Sequence, residues 1–108
     1  MNYLADIKKF KDALLKSDLG RQISKIVWFG STLKKRATKD SDVDLLIITE
    51  DGEGTKDRIA DILLDFQMAS RCPLEIVTSS IDELYPVTDY FIQNVLTHGQ
   101  EIYSMPEK

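Results

Sequence analysis

The segment "VWFGSTLKKRATKDSDVDLLIITE", Val27 to Glu50, contains two apolar runs with polar chemistry at their ends. The first, "KIVWF" at 25–29, stops at Gly30-Ser31. The second, "VDLLIIT" at 43–49, follows Asp42 and contains Asp44. Both are short and rich in β-branched or aromatic residues, which reads as two buried strands. Residues two apart on a strand share a face. Asp42 and Asp44 therefore stand side by side at the mouth of the second run. Carboxylates at the edge of a core cost free energy unless a cation, basic neighbours or solvent compensate them. Two like charges at that spacing also raise each other's proton affinity. A divalent cation reverses the repulsion, and hard oxygen ligands suit magnesium or manganese. For an isolated pair of this kind, a solvated turn leading into a strand is the commoner explanation.

The rest of the chain supplies the elements around these strands. Leu4, Ile7, Phe10 and Leu14 recur every three or four residues between charges, so 2–17 reads as an amphipathic helix with Gly20 as its stop. Residues 31–36 read as a short helix and 37–41 as a loop. "EDGEGT" at 50–55 reads as a turn with two glycines. Ile59, Ile62, Leu63 and Phe66 mark a second amphipathic helix over 56–71. "PLEIVT" at 73–78 reads as a third strand, and Pro86 breaks the chain again. Phe91, Ile92, Val95 and Leu96 mark a last helix ending at Gly99, before a short edge strand at 101–103. This alternation predicts an α/β (α+β) domain over 1–108, with a small β-sheet packed by one or two helical layers. It does not decide which strands run parallel.

Two further pieces bear on the aspartates. Gly30-Ser31 ends a strand and opens a helix; glycine permits close approach of an anion, and the free N–H groups of a helix start favour phosphate. Glu75, between Leu74 and Ile76, faces away from both. If its strand lies beside the second one, it completes a cluster of three carboxylates. A half-exposed edge strand explains Glu75 equally well.

Composition limits the partners. The chain has 108 residues, 43% of them hydrophobic, enough for one core burying roughly two thirds of the unfolded surface. A net charge of −4 argues against non-specific nucleic-acid binding but not against an anionic ligand carried as a magnesium complex. A single cysteine, Cys72, and a single histidine, His98, argue against an internal disulfide and a Cys/His zinc site. The charged start is unlike a signal peptide and no run is long enough to span a membrane, so a cytoplasmic protein is expected. Trp28 reads as core and His98 as a helix-end residue. Cys72 reads as incidental. The cluster Lys34, Lys35, Arg36 and Lys39 fits a solvated loop as well as a phosphate contact.

Taken together, Gly30-Ser31, a ten-residue spacer (32–41), the Asp-x-Asp strand at 42–44 and the later acid Glu75 resemble the minimal nucleotidyltransferases of the DNA polymerase beta superfamily. The ending "FIQNVLTHGQEIY" is also similar to the helix and strand that close these domains. The resemblance implies a nucleotidyltransferase-like mixed sheet and transfer of a nucleoside monophosphate, AMP from ATP, to a hydroxyl. It further implies two magnesium ions, or manganese, on Asp42, Asp44 and Glu75, with Gly30, Ser31 and Lys34 at the nucleotide. The chain departs from the family where Ala-Arg-Gly often follows Gly-Ser. Leu33, Lys34 and Lys35 stand there, and Lys34 brings charge without the bidentate fork of arginine. Stand-alone members are often paired with a small helical partner protein, in some cases as an antitoxin that adenylylates its toxin. A protein hydroxyl is then the expected acceptor. The alternatives are a non-catalytic antitoxin acting by contact and transfer to a small molecule such as an aminoglycoside. The small size also leads us to expect a homodimer or a complex with the partner.

Overall fold

A computed structural model describes residues 3–30, 42–50, 52–70, 73–81 and 90–106. Among the described residues three helices, α1 (Tyr3–Lys16), α2 (Gly52–Ala69) and α3 (Tyr90–His98), are interspersed with four strands. These are β1 (Ile23–Phe29), β2 (Val43–Thr49), β3 (Leu74–Ser80) and β4 (Gln100–Ser104). The strands form one mixed sheet in the order β3-β2-β1-β4. β1 pairs antiparallel with β2 and β4, whereas β2 and β3 run parallel. A parallel neighbour requires a crossover, and α2 supplies it. The expected small mixed sheet packed with helices is the one found.

Strand alternation divides the core in two. Ile26 and Trp28 of β1, Val43, Leu45 and Ile47 of β2, and Leu74 of β3 meet Ile7, Phe10 and Leu14 of α1 and Ile59 and Ile62 of α2. On the other face Val27, Leu46 and Ile48 meet Ile92 and Val95 of α3. Helices thus cover both faces of the sheet, which answers the question of one layer or two. β2 is buried on both sides, which is why its sequence is almost continuously apolar. Trp28 lies in the larger core, as its setting suggests. At the end of α1 the Ser17 hydroxyl donates to the Leu14 carbonyl at 2.6 Å and accepts from the Leu19 N–H at 3.1 Å. These bonds satisfy groups the helix end leaves open.

Three boundaries differ from the sequence reading. α2 begins at Gly52, so the turn expected over 50–55 is largely the first turn of a helix. Thr55 is buried, with its hydroxyl 3.4 Å from that of Thr49, and this seats the turn against the end of β2. β1 starts two residues early, at Ile23, because pairing with β2 and β4 on either side extends it. β3 likewise runs on to Ser80 in register with β2 as far as Thr49. The expected helix at 31–36 and loop at 37–41, with Ser31, Lys34, Lys35, Arg36 and Lys39, lie outside the described residues. So do Cys72 and Pro86.

Gly54 provides a test of the earlier helix start. A Cβ built there meets nothing within 4 Å, and its backbone is helical. Gly54→Ala should therefore stabilise the protein by about 0.5–1 kcal/mol. Chemical denaturation would show this as a higher midpoint at unchanged slope. A lower midpoint would return residues 52–55 to a turn.

Candidate active site

β2 carries the first two acids. Asp42 is exposed just before the strand, and Asp44 is the second residue within it. Asp44 shares a face with Leu46 and Ile48, both buried beneath α3. The carboxylates thus stand where that core gives way to solvent. Glu75, exposed on β3, is the direct partner of Asp44 in the parallel register, and Phe29 of β1 is its partner on the other side. The strand alternation places Asp42, Asp44 and Glu75 on the same face of the sheet.

The electrostatics of Asp44 follow from this placement. Its pKa is raised above the ordinary 3.8, first by burial and then by the charge of Glu75 and that of Asp42. A hydrogen bond with Glu75 adds to the shift, as expected when the protonated Asp44 is the donor. Basic neighbours or a cation would compensate two carboxylates so placed. Among the described residues no three carboxylate, histidine or cysteine side chains are already placed to hold a metal ion. Magnesium is usually bound by one or two carboxylates together with substrate phosphates rather than by a closed protein cage. Asp42, Asp44 and Glu75 have the right donor chemistry for that role.

Gly30 brings the turn to the acids. Its φ is +87°, a left-handed conformation that favours glycine. A Cβ built on it would lie 2.3 Å from Asp44 Oδ2 and 3.2 Å from its Cγ. The absent side chain is therefore what lets the Asp44 carboxylate reach the backbone where β1 ends. Ser31 and Lys34, the other residues expected at a nucleotide, lie outside the described residues.

Beside Gly30 is a pocket of about 100 Å³, lined by Phe29, Phe91, Asn94, Val95, His98 and Gly99 as well as Gly30 itself. His98 closes α3 as expected of a helix-end residue, and it also lines this pocket. Phe91 and Asn94 were not singled out as site residues in the sequence. The helical spacing of 91, 94, 95 and 98 marks one flank of α3, but no sequence signal aims that flank at Gly30. No helix among the described residues is long and apolar enough to cross a membrane.

Comparison with known proteins gives a consistent result. The family described as nucleotidyltransferase domain matches residues 7–101, most of the chain. A Methanocaldococcus jannaschii protein named as a candidate protein adenylyltransferase is 31% identical over 105 residues, covering 95% of this chain and 100% of that protein. A crystal structure described as a toxin-antitoxin with AMP-PNP superposes with a TM-score of 0.65 at 19% identity, over 97% of this chain and 75% of the other. At that identity the last likeness speaks for the fold.

Proposed function

The chain belongs to the nucleotidyltransferase domain family, and on that premise we propose that it transfers AMP from ATP to a hydroxyl on a small helical partner protein, as in a toxin-antitoxin pair. The observation that carries this reading is the continuous contact from Gly30 to Asp44 to Glu75. It joins the left-handed glycine at the end of β1 to the pair of carboxylates on β2 and β3. The relative named as a candidate protein adenylyltransferase favours a protein acceptor. The toxin-antitoxin neighbour with AMP-PNP favours an adenine nucleotide and a partner chain.

Asp42, Asp44 and Glu75 would hold two magnesium ions, or manganese, which when bound neutralise the triphosphate and lower the pKa of the acceptor hydroxyl. Gly30 and Ser31 would grip the β- and γ-phosphates, and Lys34 would add positive charge at the nucleotide. Glu75, at the outer side of the pair, accepts the hydroxyl proton. The hydroxyl oxygen forms its bond to the α-phosphorus as the bond from that phosphorus to the bridging oxygen breaks, and pyrophosphate leaves. The protein's work in such a step is positioning and charge stabilisation.

Purified protein incubated with its partner, magnesium and ATP labelled at the α-phosphate should pass label to the partner and release pyrophosphate. ATP labelled at the γ-phosphate should leave the partner unlabelled. If neither label is transferred while the two proteins bind tightly, the chain acts by contact alone.

A further inference from the structure

We infer that the pocket between the end of β1 and α3 is the seat of the nucleobase, where Phe91 stacks on the ring and Asn94 selects adenine. The inference rests on the nucleotidyl-transfer reading and names the part of the substrate that this flank of the site would take. Position is the first argument. The pocket shares Gly30 with the carboxylate site, since the same residue lines the one and touches Asp44 in the other. It also opens on the side of the sheet that carries Asp42, Asp44 and Glu75, because Phe29 and the packed residues of α3 belong to that face. A ligand reaching from the carboxylates past Gly30 arrives in it without crossing the sheet.

Size and chemistry are the second argument. At about 100 Å³ the pocket is well below the volume that drug-sized ligands occupy, and it suits one planar ring system. Phe29 and Phe91 meet edge to face, with ring centroids 5.5 Å apart and planes at 82°. Phe91 remains 46% exposed, so part of its ring surface is open to a ligand. A base stacked on an aromatic side chain gains affinity without sequence preference. Preference needs a polar edge, and Asn94 and His98 provide one on the same wall. An asparagine amide donates and accepts in the pattern that matches adenine N7 and N6, and does not match guanine, whose N7 and O6 both accept. Among the described residues of the wall there is no lysine or arginine, the fixed positive charge that a phosphate would want.

Titration calorimetry with magnesium and ATP, GTP or inorganic tripolyphosphate separates base from phosphate binding. The wild type should bind ATP more tightly than GTP, and both more tightly than tripolyphosphate. Asn94→Ala should weaken ATP about tenfold and remove the preference over GTP. Phe91→Ala should weaken ATP and GTP alike, by about tenfold. Neither variant should change tripolyphosphate binding. Both side chains are exposed, so the variants should fold, and circular dichroism would check this. If both variants bind ATP as the wild type does, or lose tripolyphosphate equally, the base does not sit here. If the wild type binds tripolyphosphate and ATP with equal affinity, and Asp42→Asn abolishes both, the base site fails while the nucleotidyl-transfer reading stands. If the wild type binds none of the three, both readings fail.

Discussion

Asp44→Asn is expected to abolish nucleotidyl transfer, a loss on the order of a thousandfold, while raising the melting temperature of the metal-free protein by a few degrees. The two effects have one cause. Asp44 is held partly buried between Glu75 and Asp42, and its pKa is raised as a result. Asparagine keeps the shape, removes the buried charge and still donates a hydrogen bond to Glu75. It cannot supply the charge that a magnesium triphosphate complex needs. The pH dependence has a definite sign. A carboxyl whose folded pKa lies above its unfolded value contributes stability while protonated. That contribution is fully present below 3.8 and is lost as pH rises through the folded pKa. The advantage of Asp44→Asn over the wild type should therefore be absent in acid, grow across the carboxylate range and level off towards neutrality. Thermal melts in a chelator at several pH values measure it. Added magnesium and ATP should reverse the order. At about a hundred times the dissociation constant the wild type gains roughly 2.7 kcal/mol, which the variant forgoes. A wild type more stable than Asp44→Asn in chelator at neutral pH would mean that Asp44 is not under electrostatic strain.

Much of this arrangement is legible along the chain, and the missing part has a common physical character. Ile7, Phe10 and Leu14 are spaced at the helical period, so the core face of α1 is written locally and all three are buried. The apolar run of β2 marks a strand covered on both faces. The alternation of Leu74, Glu75 and Ile76 indicates which way Glu75 faces. Register is another matter. Nothing near Glu75 specifies that it stands opposite Asp44 rather than Val43 or Leu45, because pairing is decided by packing between distant segments. The early start of β1 is similar. Polar Ser24 separates Ile23 from the apolar run, yet β1 is central and Ile23 pairs with Thr49 of β2. The start of α2 was missed because glycine signals a turn locally, while the seat for that turn is made by Thr49 on another element. The pocket beside Gly30 depends on how α3 crosses the sheet, which helical spacing leaves open.

Gly30→Ala should be the most damaging single-methyl change in the described part of the site. Two costs add. A left-handed φ of +87° is unfavourable for alanine by about 1–2 kcal/mol. The new methyl would also sit 2.3 Å from Asp44 Oδ2, so the carboxylate or the backbone must move, a further cost of about 1–3 kcal/mol. The sum, roughly 2–5 kcal/mol, lowers the melting temperature by on the order of ten degrees or more in a domain of this size. Activity should fall by about a hundredfold even in the folded fraction, because displacing a reacting group by about 1 Å has that effect. A double-mutant cycle separates the two costs. In an Asp44→Ala background the clashing oxygen is gone and only the φ penalty remains, so Gly30→Ala should cost less there than in the wild type. The difference is the coupling between the turn and the aspartate. Gly54→Ala, where the added methyl meets open space, is the control for a glycine replaced without strain. Equal costs for Gly30→Ala in the two backgrounds would show that the turn does not touch Asp44. Full activity in Gly30→Ala would go further, because a turn that accepts a methyl without loss is not holding the carboxylate in place for transfer.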